Sequence, residues 1–187
     1  MKFRKSSLLV LTFVLSAALF SLALATAVDR AARSSRERTY VDAARQAAAC
    51  YEVPLAIVMA VMRTESDFRA DAVSPAGAMG LMQLMPETFR FIRDERLGEA
   101  LADSAILDPE TNIRYGTYYL AYLFERFDSW FVTLAAYNAG EGRVEEWLLD
   151  PELSSDGRLQ TIPFPETAAY VEKAIDAYHY YGKKYKS

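Results

Sequence analysis

Hydrophobic positions along the chain recur mainly at spacings of three and four residues, as they do on one face of an α-helix. Pro, Gly and Asp residues separate these periodic segments, and no alternating stretch is long enough to predict a β-strand. The segments predicted as helices lie near residues 39–50, 54–66, 78–92, 109–127, 130–139, 143–149 and 165–184. We therefore expect a mainly α fold.

The helix predicted over 109–127 has the clearest pattern. Asp108 suits the N-cap position, and Pro109 suits the first helical position. The residues that recur on its core face are Ile113, Gly116, Leu120, Leu123 and Phe127. The tyrosines around that face are interpreted as packing residues, although some of them could face a groove, and none is assigned to the site: Tyr115, Tyr118, Tyr119 and Tyr122.

The N-terminus has a different pattern, because the basic "MKFRKSS" is followed by an uncharged apolar stretch at residues 8–28. A helix of that length can cross a bilayer core of roughly 30 Å. Residues 25–27, "ATA", also have the small-x-small form of a signal-peptidase site. Two interpretations follow: a retained membrane anchor, which the length favours, or a signal peptide cleaved near Ala27. Either one places the remaining chain outside the cytoplasm, in the cell envelope.

The domain organisation follows from these segments. Residues 1–28 form the anchor or signal peptide, the polar residues 29–38 are interpreted as a linker, and residues 39–187 form the folded domain. A chain of 187 residues is too short for two sizeable cores beside such a segment. We therefore expect one helical domain preceded by a hydrophobic helix.

Charge and residue counts exclude several classes of function. The formal net charge is −4 even though Lys2, Arg4 and Lys5 lie at the N-terminus, so no nucleic-acid partner is expected. Cys50 is the only cysteine and His179 the only histidine, which argues against an intrachain disulfide and a multi-ligand zinc site. We expect no metal and no cofactor. Cys50 is interpreted as a small buried residue, and His179 as a packing residue.

The second predicted helix places an acid on a buried face. Its run "AIVMAVM", residues 56–62, is apolar on every side, and Glu65 continues the stripe formed by Val61 and Met62. Removal from water raises the pKa of a carboxyl group, so a glutamate there can hold a proton near neutral pH and donate it. The other interpretation is an acid at a helix end that pairs with Arg63 or with a neighbouring amide.

A turn-forming Ser-Pro pair opens the next block, residues 72–89. Three methionines then lie at spacings of three around Gln83, and they are Met79, Met82 and Met85. Flexible thioethers beside one amide suit an adaptable apolar wall, and the same spacing also suits the core face of a helix. The composition of this block leaves both interpretations open.

Three motifs together resemble a known family. They are "ESDFRADAVSPAGAMGLMQLMPETF" from residue 65, "LAAYNAGEGRV" from residue 134 and "IPFPETAAYV" from residue 162. In this order and spacing, the chain from about residue 40 to 187 resembles the lytic transglycosylases with a soluble-lytic-transglycosylase (SLT) domain. The resemblance implies a mainly α, lysozyme-like fold.

The resemblance also implies a function, that of a carbon–oxygen lyase in bacterial cell-wall remodelling. The family cleaves the MurNAc-β-1,4-GlcNAc bond of peptidoglycan without water as the acceptor, and Glu65 matches its catalytic glutamate. That acid protonates the glycosidic oxygen and then takes a proton from the muramoyl C6 hydroxyl as this oxygen closes on C1. The product carries a 1,6-anhydro end, and one carboxyl group serves as acid and as base.

Further residues match substrate-binding positions of the family, and they are Ser74, Gln83, Met85, Tyr137, Asn138 and Glu166. Hydroxyl and amide groups can bind sugar or N-acetyl groups, and a thioether can pack on a sugar face. For Asn138 a role at a helix end stays open, as does a role for Glu166 at its own helix N-terminus. Ala168 and Ala169 stand where relatives often have a basic and an amide residue, so no contact to a peptide stem or a distal sugar is assigned there.

Two alternative functions stay open. A muramidase of related fold would use a second carboxyl group to deliver water, and Asp67 and Asp71 are the nearby acids. A catalytically silent glycan-binding domain of a wall-spanning assembly would bind the strand without cleaving it. The chemical form of the product end distinguishes these alternatives from a lytic transglycosylase.

Overall fold

The structure, a computed structural model, describes the backbone of residues 2–185 and the side chains of residues 15–185. The elements in this part of the chain are α1 (Lys2–Cys50), α2 (Leu55–Ser66), α3 (Pro86–Phe91), a π-helix (Ile92–Leu97), a 3₁₀-helix (Asp103–Leu107), α4 (Pro109–Phe127), α5 (Trp130–Ala139), α6 (Glu141–Leu149), β1 (Ser154–Ser155), β2 (Arg158–Leu159) and α7 (Pro165–Lys184). The prediction of a mainly α fold is confirmed.

Helix α1 runs without a break through residues 29–38, so the polar segment interpreted as a linker is helical. The chain forms two compact units, Met1–Thr39 and Tyr40–Ser187. In the first unit, large apolar side chains between Leu15 and Val28 are exposed. Among the described residues, α1 is the one helix that is long and apolar enough to cross a membrane, by length and composition. The division into anchor, linker and domain stays a prediction.

The second unit is built around α2. The consecutive residues Ile57 to Met62 have no exposed surface, which confirms the burial predicted on every side of this helix. Helix α2 packs mainly against α7, and α5 packs against both α4 and α7. Burial of apolar surface is the dominant favourable contribution to folding, at roughly 25 cal/mol per Å². This packing holds the C-terminal end of α2, which carries Glu65, in a fixed place.

Residues 78–85 form a tight loop, so the helix predicted over 78–92 is wrong in its first half. Gly80 and Gln83 adopt left-handed backbone angles, with φ of +79° and +49°, which a helix does not permit. The helix begins only at Pro86, whose ring suits the first helical position. The methionine spacing that fits a helix therefore belongs to a loop.

The buried side chain of Asn112 on α4 holds this loop in place. Its carbonyl oxygen accepts a hydrogen bond from the Met82 backbone N–H at 2.8 Å. Its amide nitrogen donates to the backbone oxygens of Met79 and Ile106 at 2.9 and 2.8 Å. A Cβ atom at Gly80 would overlap the Asn112 amide, so this close approach requires glycine. Loop and helix are thus joined by a fully bonded buried amide.

Two smaller predictions are also wrong. Cys50, interpreted as buried, is exposed at the end of α1. His179 is exposed as well, because it lies on the solvent side of α7, and its ring centroid is 5.5 Å from that of Tyr178.

The β1–β2 hairpin is not predicted, because each strand has only two residues, too few for an alternating pattern.

A substitution at Gly116 tests the packing of α4 against the loop. A Cβ atom there would lie 2.5 Å from the Met82 Sδ atom and 2.7 Å from its Cβ atom. We expect Gly116→Ala to lower the free energy of unfolding by about 1–3 kcal/mol through overpacking, although alanine favours a helix. Chemical unfolding followed by tryptophan fluorescence measures this change, because Trp130 and Trp147 both lie in the second unit.

Gly142→Ala on α6 is the matched control, because a Cβ atom there would meet no atom within 4 Å. This variant is expected to match or slightly exceed the wild-type stability, since alanine is the better helix former. Equal effects of the two substitutions would contradict the packing described for Gly116.

Candidate active site

Glu65 lies in the last turn of α2, directly before a sharp change of chain direction. The two residues that follow the helix, Asp67 and Phe68, have left-handed backbone angles, with φ of +52° and +61°. Such angles cost a non-glycine residue about 1–3 kcal/mol. The Phe68 ring is fully buried and packs edge-on against Tyr181, with 6.3 Å between centroids, which holds this conformation. Backbone strain is therefore concentrated next to the carboxyl group.

Three segments of the chain meet beside Glu65. The Ser66 hydroxyl, at the end of α2, donates a hydrogen bond to the Leu81 backbone oxygen at 2.7 Å. The Tyr137 hydroxyl, on α5, donates to the Met82 backbone oxygen at 2.8 Å. The loop at residues 78–85 is thus bonded to both helices, and α2, the loop and α5 form one wall.

Burial raises the pKa of the Glu65 carboxyl from its ordinary value of 4.5 to about 7. The Tyr170 hydroxyl, on α7, opposes this shift because its contact stabilises the charged carboxylate. That contact is loose, since the buried Tyr170 hydroxyl has no partner at regular hydrogen-bond geometry among the described residues. Burial is the stronger influence, so the carboxyl holds its proton near neutral pH. The residue keeps a partly exposed surface, which leaves it reachable by a ligand.

Tyr137 and Tyr170 face the carboxyl as neutral phenols. Burial, and secondly the negative charge of Glu65, raise the pKa of both hydroxyls well above the ordinary value of 10. A phenol with so high a pKa keeps its proton at physiological pH, so it forms hydrogen bonds but does not act as a base. In this cluster, Glu65 is the group that exchanges a proton near neutral pH.

Three of the predicted binding residues lie on or beside the loop. The Ser74 hydroxyl accepts a hydrogen bond from the Ala78 backbone N–H at 3.0 Å and closes the turn. The Gln83 amide nitrogen donates to two backbone oxygens at 3.0 and 2.9 Å, and its carbonyl oxygen takes no part in these bonds. Met85 is half-buried directly before α3. These contacts define the loop, and binding of a sugar by these residues stays a prediction.

The structure brings Tyr137 to Glu65, and it places the other two predicted binding residues at the surface. Asn138 is exposed near the end of α5. Glu166 is exposed in the first turn of α7, where the helix dipole favours an acid. Within the described part of the chain, neither residue forms a hydrogen bond or an ion pair with the Glu65 cluster. Their binding roles also stay predictions.

Sequence reasoning missed Tyr170 and Asn112. Tyr170 belongs to the motif "IPFPETAAYV", but its proximity to Glu65 depends on the packing of α7 against α2, which no local pattern reveals. The sequence gives one weak indication of the role of Asn112. It is a polar residue four positions before Gly116, on the buried side of α4, where a polar side chain needs hydrogen-bond partners. Both residues act across long sequence separations.

The raised pKa of Glu65 predicts a stability that falls with pH. The unfolded chain releases this proton near pH 4.5, and the folded protein releases it near 7. The stabilising contribution is therefore complete below pH 4.5 and is lost as the pH rises through about 7. Between about pH 5 and pH 8, we expect the wild type to lose about 2–3 kcal/mol of unfolding free energy relative to Glu65→Gln. Chemical unfolding at the two pH values measures this loss.

Glu172→Gln, on the exposed face of α7, is the matched control for removal of a carboxylate. Relative to this control variant, the wild type is expected to show no comparable pH-dependent loss. A difference between wild type and Glu65→Gln that stays constant with pH would contradict a carboxyl group shielded from water.

Comparison with known proteins finds a matching protein family and several relatives of this chain. The transglycosylase SLT domain matches residues 42–156. The soluble lytic murein transglycosylase of Escherichia coli K12 is 40% identical over 136 residues, which cover 70% of this chain and 21% of the relative. The membrane-bound lytic murein transglycosylase C of Edwardsiella ictaluri is 36% identical over 120 residues, which cover 58% of this chain and 33% of the relative. The chain thus spans about a fifth to a third of the length of these relatives.

Solved structures share the fold. The 70 kDa soluble lytic transglycosylase of Escherichia coli aligns with 77% of this chain and 24% of its own, with a TM-score of 0.69 and 36% identity. An inactive glutamate-to-glutamine mutant of lytic transglycosylase Slt from Pseudomonas aeruginosa aligns with 76% of this chain and 24% of its own, with a TM-score of 0.68 and 36% identity. The predicted lysozyme-like class is confirmed. Because the family domain matches more than half of the chain, this protein belongs to the transglycosylase SLT domain family.

Proposed function

We propose that this protein is a lytic transglycosylase that cleaves the MurNAc-β-1,4-GlcNAc bond of peptidoglycan, forms 1,6-anhydro-muramoyl ends and remodels the bacterial cell wall. One observation carries the proposal: burial keeps the Glu65 carboxyl protonated near neutral pH, with a pKa of about 7, among tyrosines. Relatives named soluble and membrane-bound lytic murein transglycosylases support it.

The first step needs a proton donor at the glycosidic oxygen. A protonated Glu65 supplies that proton as the bond from this oxygen to the muramoyl C1 breaks and C1 gains oxocarbenium character. The Tyr137 hydroxyl donates its one proton to the Met82 backbone oxygen, whereas the neutral Tyr170 hydroxyl can donate a hydrogen bond to the carboxylate that forms. With a pKa of about 7, the carboxyl can both give up and take back a proton near neutral pH.

The second step needs a base, and the same carboxylate supplies it. Because burial raises its pKa, the Glu65 carboxylate takes up a proton more readily than an exposed carboxylate does. The muramoyl C6 hydroxyl gives up this proton while its oxygen bonds to C1, so no water molecule is consumed. In the part of the chain that the structure describes, the side chain that shifts the pKa of Glu65 is a tyrosine and not a second carboxyl. One carboxyl group suffices for this reaction.

Substrate binding is assigned to the loop and to exposed residues at the end of α5 and the start of α7. The carbonyl oxygen of Gln83, which takes no part in the two bonds that its amide nitrogen donates, suits an N-acetyl group, and the half-buried thioether of Met85 suits a sugar face. The exposed side chains of Asn138 and Glu166 are accessible to a strand that extends beyond the acid. Ser74 shapes the turn and completes this proposed groove together with Tyr137.

The cell envelope is the proposed location. The exposed apolar surface of α1 and the membrane-bound relatives support an anchor at residues 8–28. Peptidoglycan is then the substrate, and the membrane is the second partner. A signal peptide cleaved near Ala27 is the alternative, and it would release the second unit from the membrane.

Digestion of purified peptidoglycan by the full chain in detergent, with mass analysis of the products, tests the function. We expect the wild type to release 1,6-anhydro-muramoyl ends, because the C6 hydroxyl is the acceptor. Glu65→Gln is expected to lower the rate by about 10²–10⁴, since it removes the acid and the base.

Asp71→Asn is the matched control, because Asp71 is an exposed acid in the turn after α2. This variant is expected to keep the anhydro activity. Reducing ends in place of anhydro ends, together with loss of activity in Asp71→Asn, would move the assignment to a hydrolytic muramidase. Binding without cleavage would move it to a silent glycan-binding domain.

N-terminal sequencing of the protein from the membrane fraction tests the anchor. We expect an intact N-terminus that begins at Met1, because the apolar stretch is long enough to span the bilayer. A chain that begins at Val28 and is found in the soluble fraction would contradict the anchor and support the signal peptide.

A further inference from the structure

A row of half-buried aromatic rings continues from Tyr137 along α4. The Tyr119 ring lies 5.5 Å from the Tyr137 ring, and the Tyr122 ring stacks on Tyr119 at 6.1 Å, measured between centroids. Phe91, at the end of α3, packs edge-on against Tyr122 at 5.7 Å. Part of each ring stays accessible. We refer to Phe91, Tyr119, Tyr122 and Arg96 as the aromatic shelf.

Arg96 lies over the outer end of this row. Its guanidinium carbon is 5.1 Å from the centroid of the Tyr122 ring and 6.0 Å from that of Phe91. Its Nε atom donates a hydrogen bond to the Tyr118 hydroxyl at 3.1 Å. Arg96 belongs to the π-helix Ile92–Leu97, a rare geometry that recurs at functional sites. The hydrogen bond to Tyr118 is the main cause that raises the pKa of this exposed guanidinium, and the negative charge of Glu125 adds to it.

Other arginines in this region have carboxylate partners, and Arg96 differs from them. Arg90 and Arg93 both pair with Asp103. Arg114 forms a two-bonded pair with Glu99 at 2.6 and 2.5 Å. Among the residues whose side chains the structure describes, no such ion pair involves Arg96. Its guanidinium therefore remains available to an anionic group of a ligand.

We propose that the aromatic shelf binds the peptidoglycan strand beyond the cleaved bond and that Arg96 binds a carboxylate of its peptide stem. This inference rests on the proposed function. Flat apolar rings suit the C–H face of a sugar. A guanidinium group suits a carboxylate, because it can donate two parallel hydrogen bonds. The row begins at Tyr137 beside Glu65, so a strand held for cleavage reaches the shelf.

Binding of glycan strands to the full chain carrying Glu65→Gln tests the shelf without cleavage. Two probes are compared by calorimetric titration: strands that keep their peptide stems, and strands from which an amidase has removed the stems. We expect Arg96→Gln, added to this background, to weaken binding of the stem-bearing strands about three- to tenfold, as for a partly exposed charge-assisted hydrogen bond. Binding of the stem-free strands is expected to stay unchanged.

Arg90→Gln removes the same charge from neighbouring α3, where the guanidinium pairs with Asp103, and it is the matched control. It is expected to leave binding of both probes unchanged. Equal effects of Arg96→Gln and Arg90→Gln, or an equal loss with both probes, would overturn the role of Arg96.

Substitutions of Tyr122 test the role of the aromatic rings of the shelf with the same two probes. We expect Tyr122→Ala to weaken binding of both probes about three- to tenfold, because a stacking surface is lost. Tyr122→Phe keeps the ring and loses only the hydrogen bond from the hydroxyl to Glu141 at 3.1 Å, so it is expected to bind like its parent. If Tyr122→Ala also binds like its parent, the shelf is not part of the groove. Circular dichroism of each variant shows that α4 is intact.

Failure of this inference is distinguishable from failure of the proposed function. Wild-type protein that releases anhydro ends, with no binding change in the shelf variants, would overturn the shelf alone. Wild-type protein without anhydro ends would overturn the transglycosylase. Loss of binding in Tyr122→Ala, and a loss confined to stem-bearing strands in Arg96→Gln, would still support the shelf as a glycan-binding surface.

Discussion

A carboxyl group shielded from water is the constraint on which this site depends. Burial disfavours the charged form of Glu65, and the group responds by keeping its proton to a pKa of about 7. In the proposed mechanism, the same effect lets Glu65 donate a proton before the glycosidic bond breaks and accept a proton afterwards. The buried residues Ile57 to Met62 of α2, with α7 packed against this helix, provide the apolar surroundings that produce this shift.

The surrounding framework holds a strained backbone in place. Asp67, Phe68 and Gln83 all adopt left-handed angles close to the acid. Their cost is offset by the buried Phe68 ring and by the hydrogen bonds of the loop, which Asn112 anchors from α4. The bond from Tyr137 to the Met82 backbone oxygen adds a third support from α5. Positions far apart in sequence therefore determine the geometry at one carboxyl group.

The sequence predicts the regular part of this fold well. Helices α4, α5 and α7 have the predicted bounds, because periodic apolar faces, caps and prolines mark their ends. The loop at 78–85 is mispredicted because its methionines repeat at a spacing that also fits a helix, while the left-handed angle of Gln83 depends on tertiary hydrogen bonds. Burial of Glu65 could be inferred from α2 alone. The contact with Tyr170 could not, because it requires the packing of α7.

Tyr119 and Tyr122 show the same limit of sequence-based prediction for residues at the protein surface. Sequence reasoning interprets them as packing residues, and each is indeed partly buried. Their alignment with Tyr137 and Arg96 depends on how α3, the π-helix and α5 meet α4, which the helical periodicity does not contain. A tyrosine that packs on one side can still offer its ring edge or face to a ligand.

Direct titration of the Glu65 carboxyl tests the central claim. Carbon-13 NMR of protein labelled at the glutamate carboxyl carbon, with the Glu65→Gln variant used to assign the signal, follows the proton on this group. We expect a titration midpoint at about pH 7. A midpoint near the ordinary value of 4.5 would show a hydrated carboxylate and contradict the account.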